Sequence, residues 1–166
     1  MFKLQENRFT GSEDTLVKLF IEKYKDVQFV FGDDFVRAVF YEQVRITEIG
    51  RVSDLVINLS GRLVNIEFKL GDWNCLLSQA KDHLRWCDYS YVCVPINWLN
   101  MYPQSFCAAL LEAGIGLIVG SNDTFIEVFR AKHNTFKNGK DKNLRSKVCS
   151  RIGSHNLFSA DTFMAK

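Results

Sequence analysis

Two β-rich runs, Val52–Leu59 and Arg62–Leu70, stand on either side of Ser60-Gly61, and this doublet constrains the chain more than any other stretch. A two-residue link ending in glycine suits a tight hairpin turn, so the runs are read as antiparallel neighbours. In the simplest register Leu59 faces Arg62, Ile57 meets Val64 and Leu55 meets Ile66, which makes one face an apolar layer. The same register sets Asp54 opposite Glu67, with Lys69 one pleat further along, and all three are expected on the other face. Directly opposed side chains have Cβ atoms about 4.5–5.5 Å apart. Two carboxylates that close repel each other unless a cation lies between them, which points to a hard divalent ion: Mg2+, with Mn2+ able to substitute. Such an ion lowers the pKa of bound water and stabilises charge on phosphorus, and Lys69 can position or deprotonate that water or neutralise the developing charge. On an open face, truncating Asp54, Glu67 or Lys69 makes no core cavity, so metal-free stability is expected to hold or rise.

The surroundings alternate helix and strand. Thr10-Gly11-Ser12-Glu13 has the form of a capping box, and Leu16, Val17, Phe20, Ile21 and Tyr24 follow at helical spacing, giving a helix over about 12–25. The segment Val27–Ile46 reads as two strands or as a strand and a short helix, with strand favoured for Phe40–Ile46. Trp73–Cys87 places Leu76, Leu77, Ala80, Leu84 and Cys87 on one helical face, and Tyr89–Val94 is a buried strand ended by Pro95. A helix from Ser105 to Ala113, closed by Gly114, leads to strands Ile115–Val119 and Thr124–Phe129. The expected fold is α/β, a mixed central β-sheet flanked by helices.

At 166 residues and 47% apolar content the chain has the size of one globular domain. No run of about 18 apolar residues is present, and Met1–Arg8 lacks the apolar core of a secretory signal, so a cytoplasmic protein without a membrane partner is expected. The five cysteines are scattered and form no C-x-x-C pair, so they read as core thiols. Charge is unevenly spread: Arg130–Arg151 carries eight Lys and Arg against Asp141 alone, whereas residues 1–129 carry 12 basic and 17 acidic side chains. This divides the chain into an acidic body, 1–130, and a basic C-terminal extension, 131–166, that is partly helical or orders on binding a phosphate backbone. Lys137, Lys140 and Lys142 are its candidate nucleic-acid contacts, joined by Arg51 and Lys81 in the body, although Arg51 could equally neutralise Glu48. Trp73 is a candidate for substrate contact, and no role is assigned to His83 or His133.

Asp54, followed after twelve residues by Glu67-Phe68-Lys69, resembles the PD-(D/E)XK motif of restriction-endonuclease-like nucleases. The likeness covers about residues 10–130, including the helix bearing Gln79 and Lys81, the strand Tyr89–Pro95, and Gly114–Val119 as a further core strand. It departs at Ser53, where the family name has proline, and Ser53 is expected to supply nothing chemical. The resemblance implies a restriction-endonuclease-like core and a metal held by Asp54, Glu67 and the Phe68 carbonyl. It implies that Lys69 is catalytic, that Gln79 or Lys81 supports the site, and that a further glutamate contributes, Glu13 as first choice and Glu42 as second. The activity implied is a Mg2+-dependent DNA endonuclease, acting as a homodimer. A catalytically idle nucleic-acid-binding module and an RNA-directed nuclease are the alternatives.

Overall fold

The computed structural model describes residues 9–31, 34–97, 104–136 and 138–164, with the backbone alone over 28–31, 34–36 and 153–164; Trp98 and Lys137 lie outside the described residues. Helix α1 (Glu13–Tyr24) is capped by Ser12, whose Oγ accepts from Thr15 N at 3.2 Å. The capping box expected of Thr10 and Glu13 therefore does not form, and Glu13 opens the helix with its carboxylate available for other partners. The next segment forms strands: β1 (Gln28–Phe31) and β2 (Asp34–Arg37) pair as a separate two-stranded sheet, and β3 (Val39–Ile46) enters the main one.

Ser60 (φ 54°) and Gly61 (φ 91°) are both left-handed, as a primed two-residue turn requires, and Gly61 N donates to Asn58 Oδ1 at 2.7 Å. The turn joins β4 (Arg51–Leu59) to β5 (Arg62–Phe68) in the expected register, from Leu59 opposite Arg62 to Leu55 opposite Ile66. Antiparallel β3, β4 and β5 are followed by a crossover through α2 (Trp73–His83) to β6 (Tyr89–Pro95), which runs parallel to β5. A second crossover through α3 (Gln104–Ala113) brings β7 (Gly116–Gly120) parallel to β6, and β8 (Phe125–Phe129) returns antiparallel along the edge. The six strands lie in chain order in one mixed sheet. Helix α2 ends four residues before Cys87 because Trp86, Cys87 and Asp88 are drawn into the core, where Asp88 accepts from Leu63 N at 2.8 Å.

Helices cover both faces. Leu16, Val17 and Phe20 of α1 pack on Leu55, Ile57, Val64, Ile66 and Phe68, while α2 and α3 cover Val92, Val94, Leu117 and Val119 on the other side. Beside them lies α4 (Gly139–Met164), whose Leu144, Val148 and Ile152 recur every four residues and pack on Ile46, Val56, Leu63 and Trp86. Two arginines tie α4 down. Arg145 reaches Asp88 (Nη2 to Oδ2 2.7 Å) and the Gly61 carbonyl (3.0 Å), and Arg151 reaches Glu48 (2.6 Å) and the Arg45 carbonyl (3.2 Å). Among the described residues no helix is long and apolar enough to cross a membrane.

Truncating a leucine at such a contact costs about 2–5 kcal/mol, whereas a change on a detached tail costs almost nothing. Leu144→Ala is therefore expected to lower stability in urea unfolding by that amount. The Arg151 guanidinium, hydrogen-bonded to Glu48, holds that carboxyl down at about 2 from its usual 4.5. A depressed carboxyl adds stability that is fully present above its unfolded value and is lost as pH falls through its folded one. Acid titration should show this loss between about pH 4.5 and pH 2, and Arg151→Ala should remove that component from the stability curve.

Candidate active site

The sheet loses its regular pairing at Asp54. On one side the β3–β4 ladder pairs Glu42 with Leu55 and Val44 with Ser53 but omits Gln43 and Asp54; on the other, the β4–β5 ladder stops at Leu55 and Ile66. Gln43 is left-handed (φ 51°), a conformation that costs a residue with a side chain about 1–3 kcal/mol and tends to persist where function demands it. The Asp54 carboxylate occupies both gaps: Oδ2 accepts from Phe68 N at 2.9 Å and Oδ1 from Gln43 Nε2 at 3.3 Å. Burial raises the Asp54 pKa, and these two donors partly offset that rise.

Its neighbour Ser53 turns the opposite way and is fully buried. Ser53 Oγ donates to Asn65 Oδ1 at 2.5 Å, Asn65 Nδ2 donates to Ser90 Oγ at 3.2 Å, and Ser90 Oγ donates to the Ala80 carbonyl at 3.0 Å. This polar ladder ties β4, β5 and β6 to α2. Ser53 therefore has a structural role that the motif did not signal.

Glu67 does lie on the face opposite Leu55 and Ile66, but α2 closes that face through His83 and the side chain is only 2% exposed. Its Oε1 stands 3.1 Å from His83 Nε2. Burial raises the Glu67 pKa most, the His83 N–H lowers it, and the charge of Asp54 raises it further, so the two carboxylates sense one another. Lys69 follows the end of β5, its N–H still donating to the Cys93 carbonyl at 3.1 Å, and its side chain leans towards α1 with Nζ 3.6 Å from Glu13 Oε1. Glu13 Oε1 also accepts from Leu70 N at 3.3 Å. The expected open face shared by Asp54, Glu67 and Lys69 is thus replaced by a cleft of about 530 Å3 at Asp54, lined also by Ser12, Glu13, Glu42 and Gln43. Glu67 sits behind it. Both glutamates weighed from the sequence line this cleft, and Glu13 is the one next to Lys69.

Asp54, Glu67, Glu13 and the Phe68 carbonyl offer only oxygen donors, the set that Mg2+ and Mn2+ prefer. Among the described residues no three His, Cys, Asp or Glu side chains converge as a ready-made ligand cluster. Magnesium does not require one, since it is commonly held by one or two carboxylates with water and substrate oxygens completing the shell. Two carboxylates and a main-chain carbonyl supply that share of the shell, so these residues fit the ion by the chemistry of their donor set.

The remaining candidates are dispersed. Gln79 is half-buried on α2 and hydrogen-bonds to neither Asp54 nor Glu67. Arg51 pairs with Asp82 on α2 at 2.7 Å and so neutralises that carboxylate instead of Glu48. Trp73 packs edge-on against Phe106, with ring centres 5.7 Å apart. Lys81, Lys140 and Lys142 are exposed. The residue that sequence reasoning missed is His83: its spacing in α2 marks it as inward-facing, but its partners come from elsewhere in the fold.

Neither a family model nor a curated protein matches the chain. Among solved structures, a protein of unknown function from Silicibacter pomeroyi is similar in fold, with a TM-score of 0.54 and 18% identity over 99% of this chain and 97% of that one.

Two substitutions separate the carboxylates. An acid whose pKa is raised on folding destabilises the native state once pH exceeds its unfolded value, because the charge is held less comfortably than in water. Asp54→Asn keeps an acceptor for Phe68 N and removes the charge, so the metal-free protein should melt higher at pH 7. Glu67→Ala opens a cavity and strips His83 of its partner, so this variant should melt lower, reversing the expectation drawn from an open face.

Proposed function

We propose that the chain is a metal-dependent endonuclease of the PD-(D/E)XK kind that hydrolyses phosphodiester bonds in DNA. The observation that carries this reading is the place where the sheet opens: Asp54 bonds to the main chain of Phe68, Glu67 lies beside it, and Lys69 projects next to Glu13. The order of hairpin, crossover helix α2 and parallel strand β6 agrees with the restriction-endonuclease-like core implied by the motif. Asp54, Glu67 and the Phe68 carbonyl would hold Mg2+ or Mn2+, which when bound supplies Lewis-acid stabilisation and a more acidic water. Asp54 is held by Phe68 N and Gln43, so its carboxylate meets the cleft in a fixed orientation. Lys69, steadied by Glu13, is placed to hold the attacking water or to neutralise charge on the phosphate. Lys81, Lys140 and Lys142 offer sequence-independent phosphate contacts, and a homodimer would address both strands.

A second reading, a catalytically idle nucleic-acid-binding module, draws on the partners already held by the carboxylates: Phe68 N and Gln43 for Asp54, and His83 for Glu67. Incubation with supercoiled, linear, single-stranded and four-way-junction DNA, and with RNA, each with Mg2+ and with chelator, distinguishes the readings. Metal-dependent DNA cleavage that is abolished in Asp54→Ala and Lys69→Ala is expected. Binding without cleavage of any substrate favours the idle module, and cleavage of RNA alone favours the RNA-directed form.

A further inference from the structure

Behind the cleft, three polar side chains are shut into the core in a row: Trp86, His83 and Glu67. The Trp86 indole N–H, which can only donate, points at His83 Nδ1 from 2.9 Å. Nδ1 therefore carries no hydrogen, and the ring proton sits on Nε2, the nitrogen 3.1 Å from Glu67 Oε1. The rings stand edge to face with centres 5.4 Å apart, so Trp86 holds the imidazole, while the His83 carbonyl takes both Trp86 N and Cys87 N and fixes the main chain at the end of α2. The last link is incomplete. Neither Nε2 nor Oε1 has an aligned hydrogen-bond partner, although the two atoms are in contact. A side chain serving only to fill this space would be apolar, because a buried polar atom left unsatisfied costs stability that leucine would not.

We infer that His83, locked by Trp86 with its proton on Nε2, is a positioning residue that fixes the Glu67 carboxylate as a ligand for the divalent cation. The inference rests on the metal-dependent reading of the site. With Nε2 standing 3.1 Å behind Oε1, the imidazole limits how the Glu67 carboxylate can turn, and the group lies close enough to Asp54 to sense its charge. Losing an outer partner of this kind typically weakens metal affinity about 10–100-fold.

The test uses the full chain with Mn2+ alone, followed by the paramagnetic resonance of the free ion, together with 15N spectra of the His83 ring and melting curves without metal. The unsubstituted protein should bind Mn2+ saturably and show a protonated Nε2 and a bare Nδ1. His83→Leu should weaken Mn2+ binding about 10–100-fold, and His83→Gln, whose amide restores a donor facing Glu67, should recover most of the affinity. If His83→Leu does not fold, Trp86→Phe, which frees the ring to take its other tautomer, is read in its place and should weaken binding several-fold. A purely structural role would lower the melting temperature but leave the Mn2+ affinity of the folded variants unchanged. That result, or a proton found on Nδ1, overturns the inference and leaves the metal site intact. Failure of the unsubstituted protein to bind Mn2+ overturns the metal-dependent reading itself, and the inference with it.

Discussion

A main-chain N–H removed from water must find an acceptor or cost roughly 1–3 kcal/mol. At Phe68 that acceptor is the side chain of Asp54, 2.9 Å away, in place of a carbonyl on the opposite strand. Several features at this end of the sheet accompany that exchange. The β4–β5 ladder stops at Leu55, Gln43 on β3 adopts a left-handed backbone and bonds the same carboxylate, and Ser53 turns inward to Asn65. Lys69, just past the end of β5, still bonds Cys93 of β6 through its main chain while its side chain reaches Glu13 on α1. A carboxylate used as main-chain surrogate is thus both the closure of the sheet and part of the lining of the cleft, so structure and chemistry at Asp54 are not separable.

The hairpin register was legible because a two-residue turn leaves almost no freedom and a one-residue slip would have turned Leu55, Ile57, Val64 and Ile66 to the wrong face. The same alternation put Glu67 on the correct face but could not show that α2 closes over it, since burial depends on what packs there. His83 was unreadable for a related reason: its partners Trp86 and Glu67 lie three and sixteen residues away, and neither spacing is distinctive. Glu13 and Glu42, the two glutamates weighed for the site, both line the cleft, and the capping-box form gave no sign of this for Glu13 because Ser12 takes the capping role instead. In the C-terminal segment, a dense run of charge concealed an apolar stripe that, among the described residues, includes Leu144, Val148 and Ile152.

That run of charge also has an internal use. Arg145 and Arg151 are bound to Asp88 and Glu48, and Arg130 contacts Glu127, so part of the basic excess seen in the sequence serves to attach elements of this fold to one another. Paired guanidiniums contribute less to a long-range field than their number implies, whereas the exposed lysines Lys140, Lys142 and Lys147 contribute fully. Net charge along a sequence is therefore a poor measure of the charge presented to a polyanion.

Helix α4 follows every strand in the chain, yet it supplies one wall of the compartment around Ile46, Val56, Leu63 and Trp86. During synthesis the back of the hairpin is therefore finished long before its cover emerges. In that interval an indole and several branched side chains of the sheet are left facing water, the sort of surface to which chaperones bind and through which nascent chains associate. The hairpin that bears Asp54 and Glu67 thus depends, for protection as it is made, on a helix that leaves the ribosome some eighty residues after it.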